Sequence, residues 1–451
     1  MTGRLLFCAP ASGTGKTTLT CGFLQALVNQ GLSPVAFKSG PDYIDPMFHS
    51  QIIGAQSRNL DLFLMGEDGV QRSLWDNGQG LSILEGAMGY YDGIAMGDTA
   101  SAYHLAKVTH TPAVLVVDGR GSALSVAAVV KGFVSFRPDS HIQGVVFNRI
   151  SPMLYPSLKK AVEDETGISV YGYLPQNPDF VLESRHLGLV TAAEVSTLQE
   201  KMQAVATQLT QSLDIAGLLA LAETAPELTP AAVDLTPVGK QIPIAVASDK
   251  AFCFYYADAL AMLETLGAKV IPFSPLTDTA LPAEAEGLYL GGGYPELYAM
   301  ELSENTSMCQ AIAKAIDGGM PTIAECGGFL YLHKTLEDAD GISHPVCNVV
   351  DAHGYGTKKL GRFGYITMTA QCDGLLCDQG DAITAHEFHY WDSTLSGEAF
   401  SAQKPQSNRG WQCAHHTKTL YAGFPHCHMG GNPNVARRFL QACNTYGEDF
   451  T

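Results

Sequence analysis

The sequence has no Cys-x-x-Cys pair, few basic side chains and no apolar run approaching the ~20 residues of a membrane-spanning helix. Each shortage removes a class of function. The 11 cysteines are scattered and odd in number, so neither a disulfide framework nor a zinc knuckle is expected, and most thiols should be reduced and structural. With 27 Lys and Arg against 45 Asp and Glu, the net charge is −18, which argues against non-specific binding to nucleic acid or to an anionic membrane. An anionic ligand must then be held by local Lys, Arg and backbone amides. The first apolar run begins almost at the N-terminus, so no signal peptide is expected and the location should be cytoplasmic.

What is present is a chain of 451 residues with 46 glycines and 23 prolines, long enough for two or three loop-rich α/β domains. Its first half is organised around Ser12, Gly13, Thr14, Gly15, Lys16, Thr17 and Thr18, set between an apolar run at 5–7 and a helical pattern over 19–28. Glycines at such a junction let successive N–H groups turn onto phosphate oxygens, a lysine neutralises the terminal phosphates, and a Ser/Thr hydroxyl holds magnesium. Pro10 stands where the strict pattern has its first glycine. Apolar runs at 34–38, 81–85, 113–118, 142–149 and 170–173 predict a mostly parallel sheet buried on both faces. Ligands bind at the C-terminal ends of such strands. Lys38 is therefore placed to meet a phosphate, and Asp42, Asp45 and Glu85 to meet magnesium or substrate, although all three also fit a capping role. Asn148 and Arg149 end another strand, where they could reach a nucleotide base. The Ala- and Pro-rich stretch 216–240 reads as a linker.

Strands at 242–247, 269–273 and 287–290 begin a second α/β layer fold. Gly291, Gly292 and Gly293 follow one of them, a loop able to aim N–H groups at a developing oxyanion. Cys326 lies between a short apolar strand and a helix and is followed by Gly327 and Gly328. Such an elbow exposes sulfur, and a helix N-terminus favours the thiolate, so Cys326 is the candidate nucleophile. A thiol nucleophile needs a base, for which His386, His389, His426 and His428 are the candidates. His415 and His416 are expected at the surface, and the histidine clusters lack the carboxylate pattern of a zinc site.

Nine stretches in order, 12–18, 38–46, 58–61, 85–89, 185–189, 252–256, 291–297, 325–328 and 386–390, resemble the cobyrinic acid a,c-diamide synthase family over nearly the whole chain. The resemblance implies an N-terminal P-loop domain similar to dethiobiotin synthetase over 1–215. It also implies a C-terminal class I glutamine amidotransferase domain of flavodoxin-like fold over 241–446. There Cys326 would hydrolyse L-glutamine through a thioester with His426 as base and His428 as runner-up, beside Gly292, Gly293 and Gly327 at the oxyanion and glutamine site. Ammonia would pass to the first domain, where ATP and Mg2+, held by Lys16, Lys38, Thr17, Asp45 and Glu85, activate a carboxylate. Asp42, Tyr43, Arg58 and Tyr91 are expected against the corrinoid tetrapyrrole. Ordinary class I enzymes carry a glutamate two residues after the histidine, where this chain has His428, so a Cys-His dyad is implied. Nearly the same motifs suit a nickel-sirohydrochlorin or hydrogenobyrinic acid a,c-diamide synthase. A phosphate-loop switch ATPase with an inactive amidotransferase-like domain is the reading from another class, and a homodimer is left open.

Overall fold

The computed structural model describes residues 3–78, 80–180, 182 and 192–448. The chain divides into two compact units, Met1–Ala231 and Ala232–Thr451. In the first, seven strands, β1 (Gly3–Cys8), β2 (Val35–Ser39), β3 (Ser57–Leu60), β4 (Leu81–Glu85), β5 (Ala113–Asp118), β6 (Ile142–Asn148) and β7 (Ser169–Leu174), form one sheet in the order β3-β2-β4-β1-β5-β6-β7. Every neighbouring pair is parallel. Helices cover both faces, which is why the central strands are apolar throughout: Leu5, Leu6, Phe7, Val114, Leu115 and Val116 are fully buried. Helix α1 (Lys16–Asn29) packs on the helix Ala192–Ser212. At Gly22 a Cβ would stand 2.3 Å from Val205 Cγ1, so only glycine permits that approach.

Part of the stretch 216–240, expected as linker, is core instead. Ile215–Ala222 is a helix whose N-terminus is capped by Asp214, which accepts the Gly217 N–H at 2.8 Å. Leu218, Leu221 and Ala222 are buried in the first unit's core, and the prolines 226, 230 and 237 come only after them.

In the second unit the parallel strands Ala268–Phe273, Ile242–Ala247, Gly287–Leu290, Thr322–Glu325 and Leu420–Gly423 lie side by side in that order, with His415–His416 antiparallel at one edge. Numbered along the chain, the parallel strands run 2-1-3-4-5, the flavodoxin-type arrangement, whose ligands sit beyond the strands' carboxyl ends. Between the fourth and fifth strands the chain builds a mixed four-stranded sheet, in which His333–Glu337 runs parallel to Val350–Gly356, and most of an antiparallel one. Phe363–Ala370 pairs with Ala382–Phe388, which pairs in turn with the short strand His426–Cys427. No helix among the described residues is long and apolar enough to cross a membrane.

Candidate active sites

The turn from β1 into α1 has φ of +80° at Gly13 and +87° at Gly15, left-handed values that favour glycine. Space restricts Gly15 as well, since a Cβ there would stand 2.1 Å from Asn148 Nδ2. Asn148 Nδ2 donates to Thr14 O at 2.7 Å, and Arg149 Nη1 donates to Gly13 O at 3.0 Å while pairing with Asp118 at 2.8 Å. The two residues expected near a base therefore grip the loop itself. Around them lies a cavity of about 790 Å³ lined by Ser12 to Thr18, Lys38, Asp45, Met88, Arg120, Asn148 and Arg149, within the usual size of a small-molecule site.

Beneath the loop, charge is tightly matched. Lys16 Nζ donates to Met88 O at 2.9 Å, and Thr17 Oγ1 donates to Glu85 Oε1 at 2.6 Å. Lys38 Nζ reaches the same Glu85 oxygen at 2.9 Å and Asp45 Oδ2 at 2.5 Å. Burial alone would raise the Glu85 pKa, but Lys38 and His49 outweigh it and hold this carboxyl well below the usual range. Asp45 is pushed up to about 6, burial exceeding the pull of Lys38. Burial and the nearby Lys38 lower the pKa of Lys16. Thr17, Asp45 and Glu85 thus bring one hydroxyl and two carboxylates together, an all-oxygen donor set of the kind magnesium prefers.

The residues expected against a substrate are placed differently. Asp42 caps the helix Ile44–Phe48, its Oδ1 accepting from Ile44 N at 2.8 Å and Asp45 N at 3.2 Å. Tyr91 donates its hydroxyl to Phe133 O at 2.7 Å and packs against Tyr90, Tyr103 and Phe133. Neither of these, nor Tyr43 or Arg58, is among the described residues that line the cavity. Asn59, beside Arg58, ties the Gly40 and Asp42 carbonyls at 2.9 and 2.6 Å. The stretch 185–189 lies outside the described residues.

In the second unit, Cys326 has φ +50° and ψ −101°, a strained elbow for a residue with a side chain. Its N–H donates to Gly423 O at 2.8 Å, and the Gly328 N–H donates to Gly291 O at 2.9 Å. A Cβ on Gly328 would stand 2.1 Å from Leu290 O, and one on Gly327 3.1 Å from Gly293 N. The two glycines after Cys326 thus let the first turn of the following helix press onto the Gly291–Gly293 loop. Tyr255 holds that loop too, accepting the Gly291 N–H at 2.8 Å while donating to Ala247 O at 2.6 Å. His426 comes from the other side: a Cβ on Gly292 would stand 2.6 Å from its Cε1 and 3.4 Å from its Nε2. The helix that follows Cys326 and the His426 imidazole therefore bear on the same glycine loop, while Cys326 Sγ itself lies 4.0 Å from Phe388 O.

Two family models match the chain: the CobQ/CobB/MinD/ParA nucleotide binding domain over residues 5–190, and the CobB/CobQ-like glutamine amidotransferase domain over 243–434. Relatives match along almost the full length. The cobyrinate a,c-diamide synthase of Caldanaerobacter subterraneus subsp. tengcongensis is 38% identical, covering 97% of this chain and 97% of that one. That of Thermoplasma volcanium is 37% identical, covering 99% and 98%, and that of Fusobacterium nucleatum subsp. nucleatum is 39% identical, covering 94% and 96%. The chain belongs to the cobyrinate a,c-diamide synthase family. In family terms the 790 Å³ cavity lies in the nucleotide binding domain and Cys326 in the glutamine amidotransferase domain.

Within that amidotransferase domain the histidines separate by their partners. His428 Nδ1 accepts the Gly431 N–H at 3.0 Å and its ring lies 4.5 Å from that of Tyr256, so one of its ring nitrogens is spent on a turn. His389 stacks on Phe424 with centroids 3.8 Å apart and turns its Nε2 to Glu387 at 3.4 Å. His386 is the strand partner of His426 and packs on Phe363 and Tyr365. His416, expected at the surface, is buried, with its Nε2 accepting the Leu376 N–H at 3.0 Å. The thiolate expectation for Cys326 also needs correcting. Burial, reinforced by Glu296, pushes its thiol above the ordinary range despite the Gly327 N–H, and a following helix of five residues has too small a dipole to reverse that. Burial likewise lowers His426 to about 3. Burial thus leaves the Cys326 thiol and the His426 imidazole both uncharged near neutral pH.

Proposed function

We propose that this chain is an ATP-dependent, glutamine-hydrolysing amidoligase that converts the a and c side-chain carboxylates of cobyrinic acid into amides. The observation that carries the reading is the presence, in a chain aligned end to end with relatives named cobyrinate a,c-diamide synthase, of both a phosphate loop and a cysteine elbow that shares its glycine loop with an imidazole. A carboxylate is a poor electrophile, and phosphorylation by ATP turns it into an acyl phosphate that ammonia can attack. Lys16 and Lys38 supply positive charge where phosphate charge develops. Thr17, Asp45 and Glu85 would hold magnesium, whose chemistry when bound is to neutralise the phosphate oxygens. Cys326 attacks the glutamine carboxamide, His426 takes the thiol proton and returns it to the departing nitrogen, and water then cleaves the thioester. The Gly293 and Gly327 amides, whose residues pack closely together, would donate to the oxyanion.

The test is mass spectrometry of the product formed from cobyrinic acid, glutamine and ATP, with hydrogenobyrinic acid and nickel-sirohydrochlorin in parallel arms. Conversion of two carboxylates on the cobalt corrinoid is expected. Turnover of another ring alone would reassign the substrate, and turnover of none would overturn the reading. Cys326→Ala should abolish glutamine-driven product while ammonium-driven product persists.

A further inference from the structure

We infer that Glu325 is the positioning carboxylate of the glutaminase centre, orienting His426 from the residue immediately before the nucleophile. This rests on the reading of Cys326 and His426 as nucleophile and base. A base that takes a proton at one ring nitrogen works best when the other is held by an acceptor that also stabilises the imidazolium. Here the ring is oriented by its surroundings. Cε1 and Nε2 face Gly292, while Nδ1 lies 3.9 Å from Glu325 Oε2, with both side chains almost wholly buried.

The carboxylate is itself fixed. Oε1 accepts the Cys427 N–H at 2.8 Å and Oε2 accepts the Tyr289 hydroxyl at 2.9 Å. Cys427 follows His426 directly, so the bond that seats the carboxylate also seats the strand carrying the imidazole. His428, two residues past the base, accepts the Gly431 N–H at its Nδ1 and lies against Tyr256. When Cys326 Sγ bonds to the carboxamide carbon, its proton passes to Nε2 and the carbonyl electrons move to oxygen. The imidazolium then faces Glu325 through Nδ1–H, and its Nε2 proton leaves with the nitrogen as the C–N bond breaks. Glu325 never leaves its place.

The titratable groups around Glu325 are Tyr289, Tyr255 and Tyr421 on neighbouring elements together with Cys427 and Cys326. Those around His426 are Glu325, His386 and His389. Burial raises the Glu325 carboxyl to about 7 against the two hydrogen bonds that lower it, whereas His426 titrates far lower. The acid limb of glutamine hydrolysis near neutrality should therefore report Glu325.

The experiment measures glutamine hydrolysis and ammonium-driven amidation by the full chain against pH. Glu325→Gln should lower kcat for glutamine by about 100-fold with KM changed less than about twofold, flatten the acid limb near pH 7 and leave ammonium-driven amidation intact. Tyr289→Phe, which removes one bond that lowers the carboxyl's pKa, should move the limb to higher pH. If Glu325→Gln does not fold, Tyr289→Phe decides. A limb unmoved by Tyr289→Phe, or wild-type kcat in Glu325→Gln while Cys326→Ala is dead, overturns the role of Glu325. Glutamine hydrolysis surviving in Cys326→Ala overturns instead the reading of the site.

Discussion

Gly292 and His426 are in mutual contact so close that a methyl group on the first would lie 2.6 Å from Cε1 of the second. The ring is buried among β-strand neighbours and cannot swing away, so Gly292→Ala must displace either the imidazole or the oxyanion loop. A misplacement of about 1 Å costs about 100-fold in rate. Glutamine-driven turnover of Gly292→Ala should fall by that order while ammonium-driven turnover is kept, and steady-state assays with the two nitrogen sources check it.

Gly15→Ala should weaken ATP binding by at least about tenfold, since left-handed φ costs ~1–2 kcal/mol with a side chain and the methyl also meets Asn148 Nδ2. Adding Asn148→Ala removes the overlap but not the backbone strain. The double variant should therefore recover only part of the affinity in calorimetric titration.

Lys38 carries the counter-charge of both Glu85 and Asp45 in a nearly dry setting. Lys38→Met leaves the two acids facing one another, and loss of one partner of a buried pair costs about 3–5 kcal/mol. Urea unfolding should show that loss, with partial recovery when Glu85→Gln is added. Nucleotide binding should not return with it.

With its thiol raised by burial, Cys326 forms thiolate only at alkaline pH in the absence of glutamine. At pH 7 it should react with iodoacetamide more slowly than an exposed cysteine of ordinary pKa ~8.5, and its rate should still be climbing above that value. Peptide mass spectrometry of alkylation against pH reads this directly; a plateau near pH 8 would contradict it.

The phosphate loop and the cysteine elbow were legible in the sequence because each is local, with glycines, a lysine or a thiol at fixed spacing between a strand and a helix. The strands were legible because burial on both faces leaves continuous apolar runs, as at Val114 to Val117. Contacts made by register between distant segments were not. Glu325 reads as a residue flanking the nucleophile, and only the pairing of Thr322–Glu325 beside Leu420–Gly423 brings it to His426. Likewise Asn148 and Arg149 end a strand, and only the sheet order shows that they grip Thr14 and Gly13. His416 misled because its neighbours in sequence are polar, whereas its burial comes from Leu376 and Phe400 across the fold.

The short strand that carries His426 is paired to Ala382–Phe388 in an antiparallel ribbon, whereas Cys326 terminates a strand of the parallel layer. Sulfur and imidazole thus ride on separate frameworks, joined through Phe424, Pro425 and the Glu325–Cys427 hydrogen bond. Loosening of the outer ribbon would uncouple them before the inner layer melts, so warming should silence deamidation of glutamine at a lower temperature than it erases the helical circular-dichroism signal.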